Sequence, residues 1–330
     1  MEMKHIVCGG CSFTRQQKRI GINGTSDDFM DDSKNMWRWP HHIQSIYDCK
    51  VHNLGNPTND NQVISFSIID KVNELIDSGV SSDDIFVITQ WSDAQRRSFF
   101  ISDSVSKMCN SELKYNDNNE NAYAHVSAYL DNSDKNIGKN GYFIQSGGYS
   151  YNHVLYDVVD IFDKIAEYSS DEYFLIGHFK NILFLQNYLK LKGIDFIQFN
   201  LSFNFQFCGE DLNYNSVYYD KKIPKCIFDF NYHNPYVQSL YKMIDMDKMW
   251  LYDDEFTNCG GITEWAIRNY KYEEDTQLFM EHDLEYTFNS IEEFISSRNI
   301  DENPYGHPSE QMNKKFVKMV LNSFIEKFLK

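Results

Sequence analysis

Three short strands constrain this chain most: the apolar run His5-Ile6-Val7-Cys8, then Lys50 to Leu54, then the apolar run Asp84 to Gln90 with Ile-Phe-Val-Ile-Thr at its centre. Such runs, rich in β-branched residues, read as strands covered on both faces, the condition of a parallel sheet. The first breaks at Gly9-Gly10 and the second closes at Gly55-Asn56-Pro57, both turn signals. Between them Met36-Trp37-Arg38-Trp39-Pro40 leads into a helix expected through Tyr47. After the second, Val63, Phe66, Ile69, Val72 and Ile76 fall at helical spacing over Gln62 to Asp77. Strand, helix, strand, helix, strand predicts an open parallel sheet with helices on both faces.

The pattern lapses from about Ser102 to Gly148, where Asn, Asp, Ser and Lys crowd the chain, and an insertion or cap over 102–150 is expected. Periodicity resumes with a helix near Val154 to Tyr168, a strand at Tyr173 to Ile176 and a helix at Asn181 to Lys192, stopped by Gly193. Asp195 to Leu201 is the next expected strand, and Phe203 to Lys225 is irregular and aromatic. A last helix is expected over Glu310 to Phe328, with Met312, Phe316, Val320 and Phe324 on one stripe. With no linker or internal repeat, residues 1–330 are expected to form one domain, carrying the 102–150 insertion and a partly irregular aromatic cap over 203–300.

Composition narrows the function. The 48 acidic residues exceed the 31 basic ones, a formal charge of −17, so a broad face for phosphate backbones or anionic lipid is not expected. Nucleic-acid and membrane partners are therefore set aside. No basic region followed by an apolar run marks a secretory peptide, and no stretch reaches the ~18 apolar residues of a membrane span. A cytoplasmic or virion-associated location is the expectation. The seven scattered cysteines read as reduced, mostly buried thiols.

Two places carry candidate chemistry. Gly9-Gly10-Cys11-Ser12-Phe13-Thr14 follows the first strand, and ligands in such sheets sit at strand carboxyl ends. Ser12 on that turn offers a hydroxyl, although a serine there could equally cap the following helix. His307, within Tyr305-Gly306-His307-Pro308-Ser309, lies in a Gly/Pro loop before the last helix, where it is either an ordinary surface histidine or the base a serine nucleophile needs. Three other features compete. Cys8 and Cys11 are spaced as CxxC, but only seven residues precede them, too few for the strand and helix of a thioredoxin-like fold. A zinc site built from His41, His42 and Cys49 lacks a second motif, and Glu281-His282-Asp283 would be at most a small acidic cation site. No glycine-rich nucleotide motif is present.

Gly10-Cys11-Ser12-Phe13-Thr14 resembles the first block of the SGNH (GDSL-like) hydrolases, with Gly-Cys-Ser-Phe-Thr in place of Gly-Asp-Ser. Trp39-Pro40, then Asn53-Leu54-Gly55 with Asn61, resembles the second block; Thr89-Gln90-Trp91-Ser92-Asp93 with Arg96 or Arg97 falls where the third does; and His307-Pro308-Ser309 resembles the last. The resemblance implies an α/β fold, a three-layer α/β/α sandwich on a central parallel sheet with an insertion after the third strand. It implies a serine esterase acting on an acyl or acetyl ester, of a small molecule or a glycan, through an acyl-Ser12 intermediate with His307 as general base. The implied oxyanion hole uses Ser12, Thr58, Gly55 and Ser92, and the implied substrate contacts are Gln90, Trp91 and Arg96. No metal or organic cofactor is implied.

Two departures mark the last blocks. Ser92 stands where the family has Asn, and Pro304 stands where it has the Asp that orients the histidine, leaving Asp301 or Glu302 to reach back or a Ser–His dyad. These departures motivate the alternative of a catalytically degenerate glycan-binding or assembly module.

Overall fold

The computed structural model describes residues 3–11, 14, 17–18, 35–36, 38–55, 59–94, 96, 98–101, 142–145, 168–202, 228–254, 257–269, 279–280, 307–308 and 310–330. Five strands form one parallel sheet: β1 (His5–Gly9), β2 (Lys50–Asn53), β3 (Ile85–Trp91), β4 (Asp195–Asn200) and β5 (Met249–Trp250). Their order is β2-β1-β3-β4-β5. The chain thus steps outward from β1 to β2, returns past β1 to β3, and continues in that second direction. β1 and β3 flank the point where the order reverses.

Alternate residues of each strand enter opposite cores. Val7, Ile85, Val87 and Phe196 pack against α2 (Asn61–Asp77), α3 (Asp171–Lys192) and α4 (Pro235–Met243). Ile6, Phe86, Ile88, Ile197 and Phe199 pack against α1 (Trp39–Ile46), α5 (Ile262–Asn269) and α6 (Glu310–Phe316). A sheet buried on both faces needs no polar alternation, which is why β3 reads as one unbroken apolar run. The period of two then divides each strand between the cores. From α6 the chain runs on through a π-helical turn at Val317–Leu321 into α7 (Asn322–Leu329). Outside the sheet, Ser98–Ile101 pairs antiparallel with Tyr142–Gln145. The expected helix at 154–168 lies outside the described residues except at its last position, as do 102–141 and 203–227.

The strand expected at Tyr173 to Ile176 is the first turns of α3 instead. The Ser170 side chain accepts from Tyr173 N–H and caps that helix, and Phe174, Leu175, His178, Phe179 and Ile182 are buried at its three- and four-residue spacing. A four-residue apolar run carries no period of its own, so only the cap and the longer pattern distinguish the two forms. Gly193 ends α3 in the left-handed region at φ 67°, where a side chain would be strained. The region expected to be a partly irregular cap, 203–300, contributes α4, β5 and α5 to the main body. Asn234 caps α4 and Pro235 occupies its first turn, a start signal legible in the sequence.

Three histidines are held neutral inside this fold. Burial, with Lys314 nearby, pulls the His42 imidazole down to about 4 at the α1–α6 contact. His52 on β2 is pulled to about 4 by burial and Lys71, and its Nε2 lies 2.9 Å from Nδ1 of His5 on β1, a pair that can share only one bridging proton. Between the unfolded value near 6.5 and the folded one, the unfolded chain binds more protons, so stability is complete above about pH 6.5 and falls as pH drops toward 4. His42 alone should withdraw about 2 kcal/mol between pH 6.5 and 5. Urea midpoints at the two pH values measure this, and His42→Gln should flatten the difference. An unchanged slope in that variant would remove His42 as the cause.

Candidate active site

The β1–β3 switch point is where the turn carrying Ser12 emerges. Gly10 is fully buried, and a Cβ there would lie 1.9 Å from Thr14 Oγ1 and 2.8 Å from Thr14 Cβ. Only glycine lets the chain fold back so tightly. Thr14 N–H donates to the Cys11 carbonyl at 2.9 Å and closes the turn. The Thr14 hydroxyl donates to Gln90 Oε1 on β3, Asn53 Nδ2 donates to the Thr14 carbonyl at 2.9 Å, and Asn59 Nδ2 donates to the Gly10 carbonyl at 3.1 Å. Side chains from the second and third blocks thus grip the first. Ser12 itself lies outside the described residues, as do Thr58, Asp301, Glu302 and the Glu281-His282-Asp283 cluster.

The remaining candidates are placed as follows. Gly55 is half-buried, and its N–H donates to Asn53 Oδ1 at 2.9 Å. Ser92 is fully buried, its N–H donates to Asn61 Oδ1 at 2.8 Å, and its carbonyl accepts from Asn61 Nδ2 at 3.2 Å. The Gly55 N–H is therefore engaged by an asparagine, and Ser92, expected to donate through its hydroxyl, is buried at the end of β3; the backbone donors expected at Ser12 and Thr58 lie outside the described residues. Gln90 and Trp91, expected to touch substrate, are turned inward instead. Gln90 holds Thr14, while the Trp91 indole N–H donates to Gln198 Oε1 at 2.8 Å among α2 and α3 side chains. A residue in a β3 buried on both faces has no outward side, and this burial sets the two apart from a surface cleft. Arg96 is half-buried, with its N–H on the Asp93 carbonyl at 3.2 Å.

His307 begins a two-residue strand, His307–Pro308, paired antiparallel with Phe279–Met280. Two side chains and one backbone group lock the Pro308 end. Arg38 Nη1 donates to the Pro308 carbonyl at 3.0 Å, Asn313 Nδ2 donates to it at 2.9 Å, and Asn313 Oδ1 accepts from Trp39 N–H at 3.1 Å. Arg38 is fully buried, and burial lowers its guanidinium to about 10 despite the opposing influence of Cys11 and Glu310. Cys11, Trp39, Met312 and Phe316 share one buried cluster. Pro308, next to His307, is thus held by Arg38, while Cys11, next to Ser12, packs in the cluster that takes in the adjoining Trp39.

The competing motifs fare differently. Cys8, Cys11, Cys49 and Cys259 are free and buried, and burial pushes the Cys8 thiol well above its ordinary range. A redox cysteine needs an accessible thiolate, the opposite environment. His41 faces the Arg38 carbonyl and His42 the Glu310 carbonyl, so the two rings do not converge with Cys49. Among the described residues no three His, Cys, Asp or Glu side chains gather as a metal site, and no helix is long and apolar enough to cross a membrane.

Sequence reasoning gave no role to Arg38, Asn59, His178 or Asn313. An arginine between two tryptophans at a Pro-marked helix start was the one visible signal, since long charged side chains are seldom wholly buried without a task. Asn61, quoted only as part of the second block, also contacts His178 Nδ1 at 2.9 Å, a contact that sequence spacing could not announce.

Fold and site together define an α/β protein with a five-stranded parallel sheet of doubly wound order, its candidate centre at the carboxyl ends of β1 and β3. Comparison with protein-family models, curated proteins and solved structures finds no match to this chain.

Proposed function

We propose that the chain is an SGNH-like serine ester hydrolase, its sheet and helices the three-layer sandwich of that class with an insertion after the third strand. Ser12 Oγ attacks the acyl carbonyl as His307 takes its proton. The alkoxide leaves with that proton, and water, deprotonated by His307, then releases the acid and restores Ser12. The single observation behind this reading is that Cys11, next to Ser12, packs in one buried cluster with Trp39, Met312 and Phe316, while the buried Arg38 beside Trp39 donates to the carbonyl of Pro308, next to His307. An acyl or acetyl ester of a small molecule or glycan is the substrate class, and the chemistry asks for no metal or cofactor.

A fluorophosphonate probe should label the protein covalently, with the adduct mapped to Ser12 by peptide mass, and Ser12→Ala should abolish both labelling and cleavage of a short acyl ester. Labelling that survives Ser12→Ala, or none in the native chain, removes the proposal. The second reading, a degenerate module that binds glycans, draws on a specific finding: the Gly55 N–H already has an asparagine partner and Ser92 is fully buried. Under it the native chain would ignore the probe and still retain oligosaccharides on an array.

A further inference from the structure

We propose that the carboxyl ends of β3 and β4 enclose a site for bound water, built by Thr89, Gln198 and Asn200. The two strands run parallel, with Thr89 beside Gln198 and Trp91 beside Asn200. Residues two apart on a strand share a face. Val87 and Trp91 on β3 and Phe196 on β4 enter the core formed with α2, α3 and α4, whereas Ile88, Ile197 and Phe199 enter the opposite one. Thr89, Gln198 and Asn200 therefore stand together on the first face. The bond from the Trp91 indole N–H to Gln198 Oε1 at 2.8 Å agrees with that placement. All three side chains are fully buried. Cys11, which adjoins Ser12, packs on the opposite face, so the site is independent of the hydrolase reading.

Four polar atoms of this group meet no hydrogen-bond partner among the described residues: Thr89 Oγ1, Gln198 Nε2, and both Nδ2 and Oδ1 of Asn200. Other buried amides behave differently. Asn61 uses both ends on Ser92, and Gln186 uses both ends on the Met243 carbonyl and the Asp245 N–H. A buried amide or hydroxyl without a partner is strongly disfavoured, and an apolar side chain of similar shape is then the more stable choice. The polar choice at three adjoining positions therefore points to a guest. Gln198 Nε2 and Asn200 Nδ2 donate, Asn200 Oδ1 accepts, and the Thr89 hydroxyl does either. The guest must both donate and accept, and it must be uncharged, because none of the three side chains can neutralise an ion in the interior. Water meets these conditions with two to four polar partners apiece. Neighbouring strands lie about 4.8 Å apart, a spacing that one water bridges between Thr89 and Gln198. Asn200 is two residues, roughly 7 Å, further along β4, within reach of a second.

A crystal structure of the native chain, at a resolution that shows ordered water, tests the inference directly. Water density within about 2.7 to 3.2 Å of Asn200 Nδ2 or Oδ1, and of Thr89 Oγ1 or Gln198 Nε2, is the expected result. A dry group, or one whose four atoms have turned to protein partners, overturns the proposal. Density for a larger molecule in the same place overturns water as the occupant. Thr89→Val supplies a second readout through the sign of its effect, since valine keeps the shape and loses the hydroxyl. If water bridges the strands, the variant strips it of a partner and the thermal midpoint falls by about 1 to 2 °C. In a dry site the same change relieves an unpaired hydroxyl, and an unchanged or raised midpoint overturns the proposal. Should Thr89→Val not fold, the native crystal structure decides alone.

Discussion

His307→Ala should lower kcat/KM for a short acyl ester by about three or more orders of magnitude, as removal of a base that works as a unit with its nucleophile does. The fold should barely notice. The His307–Pro308 strand is only two residues long, and its Pro308 end is held by Arg38 and Asn313, which the substitution leaves in place. Activity within tenfold of native, with an unchanged thermal midpoint, would retire His307. The companion pair Asp301→Asn and Glu302→Gln asks what orients the ring. Where a triad carboxylate is replaced by its amide, turnover falls by about 10⁴. A loss of that size in one variant would identify the orienting group, and near-native rates in both would leave a Ser–His dyad steadied by backbone.

Gly261→Ala should carry the largest cost to stability. A Cβ there would lie 2.3 Å from the Asn200 carbonyl oxygen and 2.7 Å from both Leu201 C and Ser202 N, all main-chain atoms at the end of β4. Backbone cannot rotate aside as a side chain tip can, so α5 must lift off the sheet. The same residue caps α5: its carbonyl accepts from Trp265 N–H at 3.1 Å, and Glu264 Oε2 accepts from its own N–H at 2.7 Å. Thr263 N–H also donates to the Leu201 carbonyl at 3.0 Å, tying cap to strand. Overpacking of this kind costs roughly 3 kcal/mol, or a fall in thermal midpoint of about 4 °C for a chain of this length. Calorimetry tests it, with Gly79→Ala as a contrast in open space whose strain comes from its φ of 96° alone. Equal losses in the two variants would contradict the close approach.

The strands show what periodicity conveys. β1, β3 and β4 were each legible within a residue or two because burial on both faces demands an apolar run, and the edge strand β2 because the turn at Gly55-Asn56-Pro57 closes it. α2 was legible because its stripe repeats over four turns, and the Asp60 side chain caps it by accepting from Val63 N–H at 2.9 Å. β5 was invisible for the complementary reason: two residues contain no period. The first turns of α3 misled because Tyr-Phe-Leu-Ile is apolar in either form, and the deciding interaction is one hydroxyl at Ser170.

For the candidate centre, the order of motifs singled out Ser12 and His307, with Asn53 and Asn61 in the segment that resembles the second block. It could not say that those asparagines would occupy the Gly55 and Ser92 N–H groups, nor that Gln90 and Trp91 would turn inward. The sequence by itself determined four strands of the parallel sheet, their strand-ending turns, and the helices α1, α2 and the last one, because there local pattern and burial demand the same periods. Only the tertiary structure decided that Arg38 would be sealed in the core against Pro308. That outcome depends on contacts about 270 residues apart, whose closure no local propensity encodes.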